Sequence, residues 1–188
     1  MLDRIKLRHF LLLAFLGICS AGALFYFYSD EKRDKALIRS YDQEKDFAPL
    51  VAMINDNLFW LSERPDFSPE QFLILRAPNF DPSRKGQTTI DVVEADGATA
   101  GFVAYHKKSP TQGYIWIFAV DKNFRRRGFG EKLLNHALAQ LKKQGAQYVT
   151  LTTRLAKTPA LQLYQKVGFV EQYREEDRGI ITMIKRNL

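Results

Sequence analysis

Between Tyr114 and Lys143 a strand-like run, a basic turn with two glycines and an amphipathic helix follow one another, so the strand ends in a turn that opens a helix. Tyr114 to Val120 reads Tyr-Ile-Trp-Ile-Phe-Ala-Val, β-branched and aromatic as in a strand. Leu133, Leu134, Ala137, Leu138 and Leu141 then recur at helical spacing, with Glu131, Lys132, Gln140, Lys142 and Lys143 on the polar face. Between them lies Arg125-Arg126-Arg127-Gly128-Phe129-Gly130. Gly128 and Gly130 allow the backbone to approach a ligand closely. The first amides of the helix have no internal partner and lie at the positive end of its dipole, so the turn describes a pyrophosphate cradle. Arginines add charge-assisted contacts to phosphate oxygens, although three in succession cannot all point inward.

The order of elements around this turn resembles the GNAT acetyltransferase superfamily, whose acetyl-CoA signature is Arg/Gln-x-x-Gly-x-Gly/Ala; Arg125, Gly128 and Gly130 fill it. A second segment, Ala160-Leu161-Gln162-Leu163-Tyr164-Gln165-Lys166-Val167-Gly168-Phe169, is similar to the family's Ala-Ile-x-Leu-Tyr-x-Lys-x-Gly-Phe. Two motifs in the right order and separation are far more specific than either alone. The resemblance covers roughly residues 36 to 188.

It implies an α/β (α+β) fold with a mixed, largely antiparallel central sheet flanked by helices, and acetyl-CoA as co-substrate without a metal. The function implied is acetyl transfer to a primary amine of a small molecule, peptide or protein. It further implies that Phe118, Ala119 and Val120 line the pantetheine where the central strand splays, and that Arg125, Arg126, Arg127, Gly128, Phe129 and Gly130 hold the pyrophosphate. Tyr164 aligns with the family's general acid, since its phenol can protonate the departing thiolate. The chain also departs from the pattern. Thr152 stands twelve residues before Tyr164, where enzymes acting on protein N-termini often carry a glutamate, and Lys157 replaces an asparagine that commonly contacts the cofactor. Threonine cannot act as a carboxylate base. Asp91, Glu94 and His106 on a predicted hairpin are the alternative bases, or ordered water relays the proton; His136 lies off the apolar stripe and reads as solvent-facing.

The remaining chain organises as one domain with an appendage. Phe10 to Tyr28 is uncharged and proline-free, about the ~20 residues a helix needs to cross a bilayer, with an aromatic cluster from Phe25 to Tyr28 suited to an interface. A signal peptide would have a shorter apolar core ending in a small-residue cleavage site, and bulky Ile18 before Cys19 disfavours a lipoprotein. The reading is therefore a tail and transmembrane helix over 1–29, a charged linker over 30–35 and the GNAT-like domain over 36–188. Arg4, Lys6 and Arg8 precede the span while Lys32, Arg33, Lys35 and Arg39 follow it, so charge does not orient it. Use of acetyl-CoA places the domain on the cytoplasmic side, and the lone Cys19 excludes an intramolecular disulfide.

Net charge is +7, and +5 once the first 28 residues are set aside. With no zinc-ligand spacing or recognition-helix motif, no nucleic-acid partner is expected. Two alternatives stay open: a non-catalytic acyl-CoA-binding sensor at the membrane, consistent with Thr152 and Lys157, and a basic nucleic-acid or lipid-surface binder. The acceptor and the oligomeric state have no signature.

The spacing predicts a strand over Ala36 to Tyr41 and a helix over Phe47 to Leu61 with Pro49 in its first turn. It further predicts a short helix from Ser68-Pro69-Glu70 and a hairpin of Thr88 to Glu94 with Thr99 to His106 around Asp96-Gly97. Beyond the Gly128 helix it predicts a strand over Gln147 to Thr153, a helix over Pro159 to Val167, and closing strands at Phe169 to Arg174 and Ile180 to Ile184.

Overall fold

Seven strands form one sheet in the order β1-β2-β3-β4-β5-β7-β6. They are β1 (Leu37–Ser40), β2 (Thr89–Ala95), β3 (Ala98–Lys107), β4 (Gln112–Val120), β5 (Tyr148–Arg154), β6 (Val170–Glu175) and β7 (Ile180–Arg186). This computed structural model describes residues 36–188 apart from 63, 65, 79, 80 and 157. Every neighbouring pair is antiparallel except β4 with β5, so the expected mixed, largely antiparallel sheet is present. The β2–β3 turn takes Asp96 and Gly97 through positive φ (52° and 75°), as a two-residue hairpin requires.

Helices cover both faces. On one side lie α1 (Gln43–Asn55), α2 (Leu58–Leu61) and α3 (Pro69–Leu75); on the other lie α4 (Phe129–Lys143) and α5 (Thr158–Lys166). The predicted stripe of α4 is the core-facing one: Leu133, Leu134, Ala137 and Leu141 are fully buried against Val93, Val103 and Tyr105. Each buried leucine contributes roughly 1.5–3 kcal/mol. Leu50, Ile54, Phe72 and Leu73 close the opposite face over Val92, Phe102 and Ile117.

The helix expected over Phe47 to Leu61 is two helices. Asp42 caps α1 by accepting from the Glu44 and Lys45 amides, so the helix starts earlier and Pro49 lies well inside it rather than in its first turn. Asn57 ends it. Its side-chain amide donates to Met53 O at 2.8 Å, and its own carbonyl accepts from the Trp60 and Leu61 amides to open α2. A partly buried ion pair locks α1 to the sheet edge: Arg39 grips Asp46 at 2.6 and 2.9 Å, while the Asp42 amide and the Thr99 hydroxyl also donate to it.

No helix among the described residues is long and apolar enough to cross a membrane. The Phe10 to Tyr28 run and the 30–35 linker lie outside the described residues.

Candidate active site

Trp116 is where β4 leaves its parallel neighbour. Ala104 and Tyr105 are consecutive on β3, yet their partners on β4 are Ile117 and Ile115, so Trp116 is an extra residue. A bulge of this kind bends its strand and interrupts the ladder. Pairing with β5 runs from Gln112↔Tyr148 to Ile115↔Leu151 and stops, although β4 continues to Val120 and β5 to Arg154. The strands splay, leaving the β5-facing backbone edge of Phe118, Ala119 and Val120 without a strand partner.

A cleft of about 550 Å³ occupies the splay. Phe118, Ala119 and Val120 form one wall, α5 supplies Leu163 and Tyr164, and Asn57, Trp60 and Leu61 reach over from the α1–α2 junction. The remaining wall is the basic turn with the start of α4. Asp121 caps a 3-10 turn at Lys122–Phe124, Arg126 adopts φ +63° and Gly128 adopts φ +82°, after which the helix begins. Its first internal bond runs from the Lys132 amide to Gly128 O, so the amides of residues 129–131 have no acceptor within the helix. A Cβ built on Gly128 would meet nothing within 4 Å, whereas one on Gly130 would press on Leu163 and Phe118. Gly128 thus serves the backbone turn and open access, and Gly130 the packing of α4 against β4 and α5. Open amides, flanking arginines and a strand edge without a strand partner fit a pyrophosphate carried on a long polar arm.

The three arginines divide. Arg126 lines the cleft. Arg125 is pinned at its mouth, donating from Nε to Val120 O at 3.2 Å and from Nη2 to Asn57 Oδ1 at 3.3 Å. Arg127 departs from the expectation: its guanidinium pairs with Asp96 at 2.9 Å and lies over the Phe124 and Phe129 rings, so its side chain is drawn out of the cleft lining. Phe129 is buried, serving both core and cleft.

Tyr164 is 7% exposed, with its ring centroid 6.3 Å from that of Phe118 and 6.2 Å from that of Phe169. Burial pushes the phenol well above its ordinary pKa, outweighing a hydrogen bond with Thr153 that favours ionisation. The phenol carries its proton at neutral pH, as an ordinary tyrosine does, and burial makes that proton harder to release. Through the splay lies a second cleft of about 330 Å³, which shares Trp60, Leu61 and Thr153 with the first. Tyr114, Trp116, Thr152 and Arg154 line it, together with Glu175 and Arg178 of the β6–β7 hairpin.

The acetyltransferase (GNAT) family model matches residues 54–169, from the end of α1 to the segment after α5. The chain belongs to the GNAT acetyltransferase family. Among GNAT relatives, N-alpha-acetyltransferase 30 of Xenopus laevis is 36% identical over 81 residues, which is 43% of this chain but only 30% of that protein. The chain thus matches under a third of that relative's length. The crystal structure of Ard1 from Thermoplasma volcanium aligns with a TM-score of 0.65 at 25% identity, covering 81% of this chain and 98% of that one. The ribosomal-protein-S18-alanine N-acetyltransferase of Escherichia coli shares the fold at a TM-score of 0.60 and 21% identity, with 80% and 93% of the two chains covered.

The expected alternative bases are not in either cleft of this GNAT domain. Asp91 accepts from the Tyr105 hydroxyl at 2.7 Å and contacts His136 Nε2 at 2.9 Å, an arrangement beneath α4. His136 is accordingly half-buried and partnered rather than solvent-facing. Glu94 pairs with Arg39 at 2.8 Å. His106 is buried behind Tyr114 and Trp116, its ring centroid 5.5 and 6.3 Å from theirs. Thr152 does reach the second cleft, where its hydroxyl lies 3.3 Å from that of Thr182; Lys157 lies outside the described residues. Sequence reasoning missed Trp60 and Leu61, which sit between both clefts, and Thr153 and Arg154. Arg154 alone left a trace, being two residues beyond Thr152 and so on the same strand face. Among the described residues no cluster of His, Cys, Asp or Glu is placed to hold a metal ion.

Proposed function

We propose that this protein is an acetyl-CoA-dependent N-acetyltransferase that acetylates a primary amine of a small molecule, peptide or protein. The observation that carries the reading is the convergence on one cleft of the β4 edge that has no strand partner, the open amides of α4 and the phenol of Tyr164. The backbone of Phe118 to Val120 holds the pantetheine arm, while the amides after Gly128 with Arg125 and Arg126 hold the pyrophosphate. Arg127 supports the turn from outside through Asp96. Acetyl-CoA supplies a thioester whose carbonyl carbon accepts a free amine. As the C–N bond forms the C–S bond breaks; Tyr164 gives its proton to the sulfur, and the proton shed by the amine returns through solvent to the phenolate. The acceptor enters from the second cleft, because the two clefts meet at Thr153, Trp60 and Leu61.

Calorimetry with acetyl-CoA, followed by thiol release across a panel of amines and peptide N-termini, tests the reading. Absence of acetyl-CoA binding would overturn it. Binding without turnover for any acceptor would favour the non-catalytic sensor, which Thr152 in place of a carboxylate supports.

The uncharged run from Phe10 to Tyr28 supports a single-pass anchor, with the 36–188 domain in the compartment that holds acetyl-CoA, the cytoplasm. The full chain then stays in the membrane fraction after alkaline carbonate washing, whereas a chain beginning at Asp30 is released; release of the full chain rejects the anchor. Protease protection in sealed and opened vesicles reports the side.

A further inference from the structure

The second cleft has aromatic walls at Trp60, Tyr114 and Trp116 and, among the described residues, four charged groups: Arg64, Arg154, Arg178 and Glu175. Two of its three cations are matched. Arg178 pairs with Glu175 at 2.7 Å and Arg64 pairs with Asp66 at 2.7 Å. Arg154 has no acidic partner among the described residues. Its Nε donates to Phe59 O at 2.6 Å and its guanidinium lies 4.3 Å from the Phe59 ring centroid, so the side chain is held rather than swinging in solvent. Its backbone is held as well: Arg154 pairs with Ile180 across the β5–β7 ladder, and the next amide, Leu155 N, donates to Gly179 O at 2.9 Å. With Nε occupied, the two terminal nitrogens of the guanidinium are the fork that matches a carboxylate.

Position relates this cation to the chemistry. Thr153, the preceding residue, shares the first cleft with Tyr164 and also lines the second. Alternation along β5 turns the Arg154 side chain to the face opposite Thr153, and it lines the second cleft, by which the acceptor approaches. The same face of β5 presents Thr152, which is neutral and engaged with Thr182. Among the described residues that line the cleft Glu175 is the one carboxylate, and it is engaged with Arg178. An acceptor with a second cation there would meet uncompensated positive charge, and a neutral one would leave the held guanidinium unmatched.

We infer that the acceptor is an amine bearing a carboxylate within a few bonds, with Arg154 as the specificity-determining residue that binds that carboxylate. The inference rests on the acetyltransferase reading. A carboxylate of this kind comes either from a free amino acid or from an acidic residue at a peptide N-terminus. Both sources are tested with matched pairs: β-alanine against β-alanine amide, and tetrapeptides carrying Asp against Asn at the first or second residue. The assay is thiol release from acetyl-CoA by the full chain, with calorimetry for acetyl-CoA affinity. The carboxylate member of at least one pair should show a kcat/KM higher by roughly tenfold or more, the size expected of a charged hydrogen-bonded pair, and the pair that discriminates identifies the source. Arg154→Gln should erase that preference through KM while acetyl-CoA affinity stays unchanged, and Arg154→Lys should retain part of it. Equal kcat/KM within every pair, an unaltered preference in Arg154→Gln, or no turnover of any carboxylate acceptor by protein that binds acetyl-CoA would each overturn the inference. Failure of the wild-type chain to bind acetyl-CoA would instead remove the acetyltransferase reading on which it stands.

Discussion

Gly130→Ala separates a steric role for a signature glycine from a conformational one. An ideal Cβ at this position would lie 2.9 Å from Leu163 Cδ2 and 3.1 Å from Phe118 Cζ. Carbon atoms rest at about 3.5–4.0 Å, so the new methyl intrudes on both neighbours. Overpacking costs roughly 1–3 kcal/mol, offset in part by the roughly 0.5–1 kcal/mol that Ala gains over Gly in a helix, and for a domain of this size each net kcal/mol lowers Tm by roughly 2–4 °C. Leu163 and Phe118 are also cleft walls, so their retreat narrows the site and weakens acetyl-CoA binding. Gly128→Ala is the contrast: the space around it is open, and its cost of about 1–2 kcal/mol comes from φ +82° alone. Leu163→Ala removes the group that Gly130→Ala strikes. In a double-mutant cycle by urea denaturation, Gly130→Ala with Leu163→Ala should be less destabilised than the sum of the single changes by about 0.5 kcal/mol or more, while Gly128→Ala with Leu163→Ala should be additive within about 0.3–0.5 kcal/mol. Additivity for the Gly130 pair would refute the steric account.

Tyr164→Phe keeps the ring contacts with Phe118 and Phe169 but removes the proton, so turnover should fall roughly tenfold or more with acetyl-CoA affinity little changed; wild-type turnover would assign Tyr164 to packing. His106 is held neutral, its pKa lowered from 6.5 to about 4 by burial first and then by Arg84 and Lys108. The unfolded chain takes up that proton more readily, so stability present above pH 6.5 should fall by up to about 3 kcal/mol as pH drops toward 4, and His106→Gln should flatten this limb in denaturant titrations run across that range. Burial alone would raise the Asp46 carboxyl, but hydrogen bonds from Arg39, the Asp42 amide and Thr99 outweigh it and hold it below its usual range. Asp46→Ala leaves Arg39 with Glu94 but the Asp42 amide and Thr99 without their acceptor, and should cost about 1–3 kcal/mol by urea denaturation, while a loss below about 0.5 kcal/mol would mean that the pair contributes little.

Local pattern carried much of this protein. The strand, turn and helix from Tyr114 to Lys143, the buried stripe of α4, the Asp96-Gly97 hairpin and the placement of Tyr164 on a helix all follow from periodicity and turn chemistry, which a few neighbouring residues set. The Phe47 to Leu61 boundary failed for a local reason as well: an Asn whose side chain caps the preceding turn can end a helix in mid-stripe.

Tertiary structure decided the rest. Nothing in Ile115-Trp116-Ile117 distinguishes the residue that bulges, because a bulge exists only in the register between two strands, and that register sets where β4 leaves β5 and the cleft opens. Asp91 and His136 are 45 residues apart in sequence yet joined in space, which removed Asp91 from the possible bases. Arg127 turned outward because Asp96 waits there, and Arg154 lines a second cleft assembled from α2, β4, β5 and the β6–β7 hairpin. Periodicity reports which face of an element is apolar; partners, register and the space between elements come from contacts between distant segments, and only the packed chain contains them.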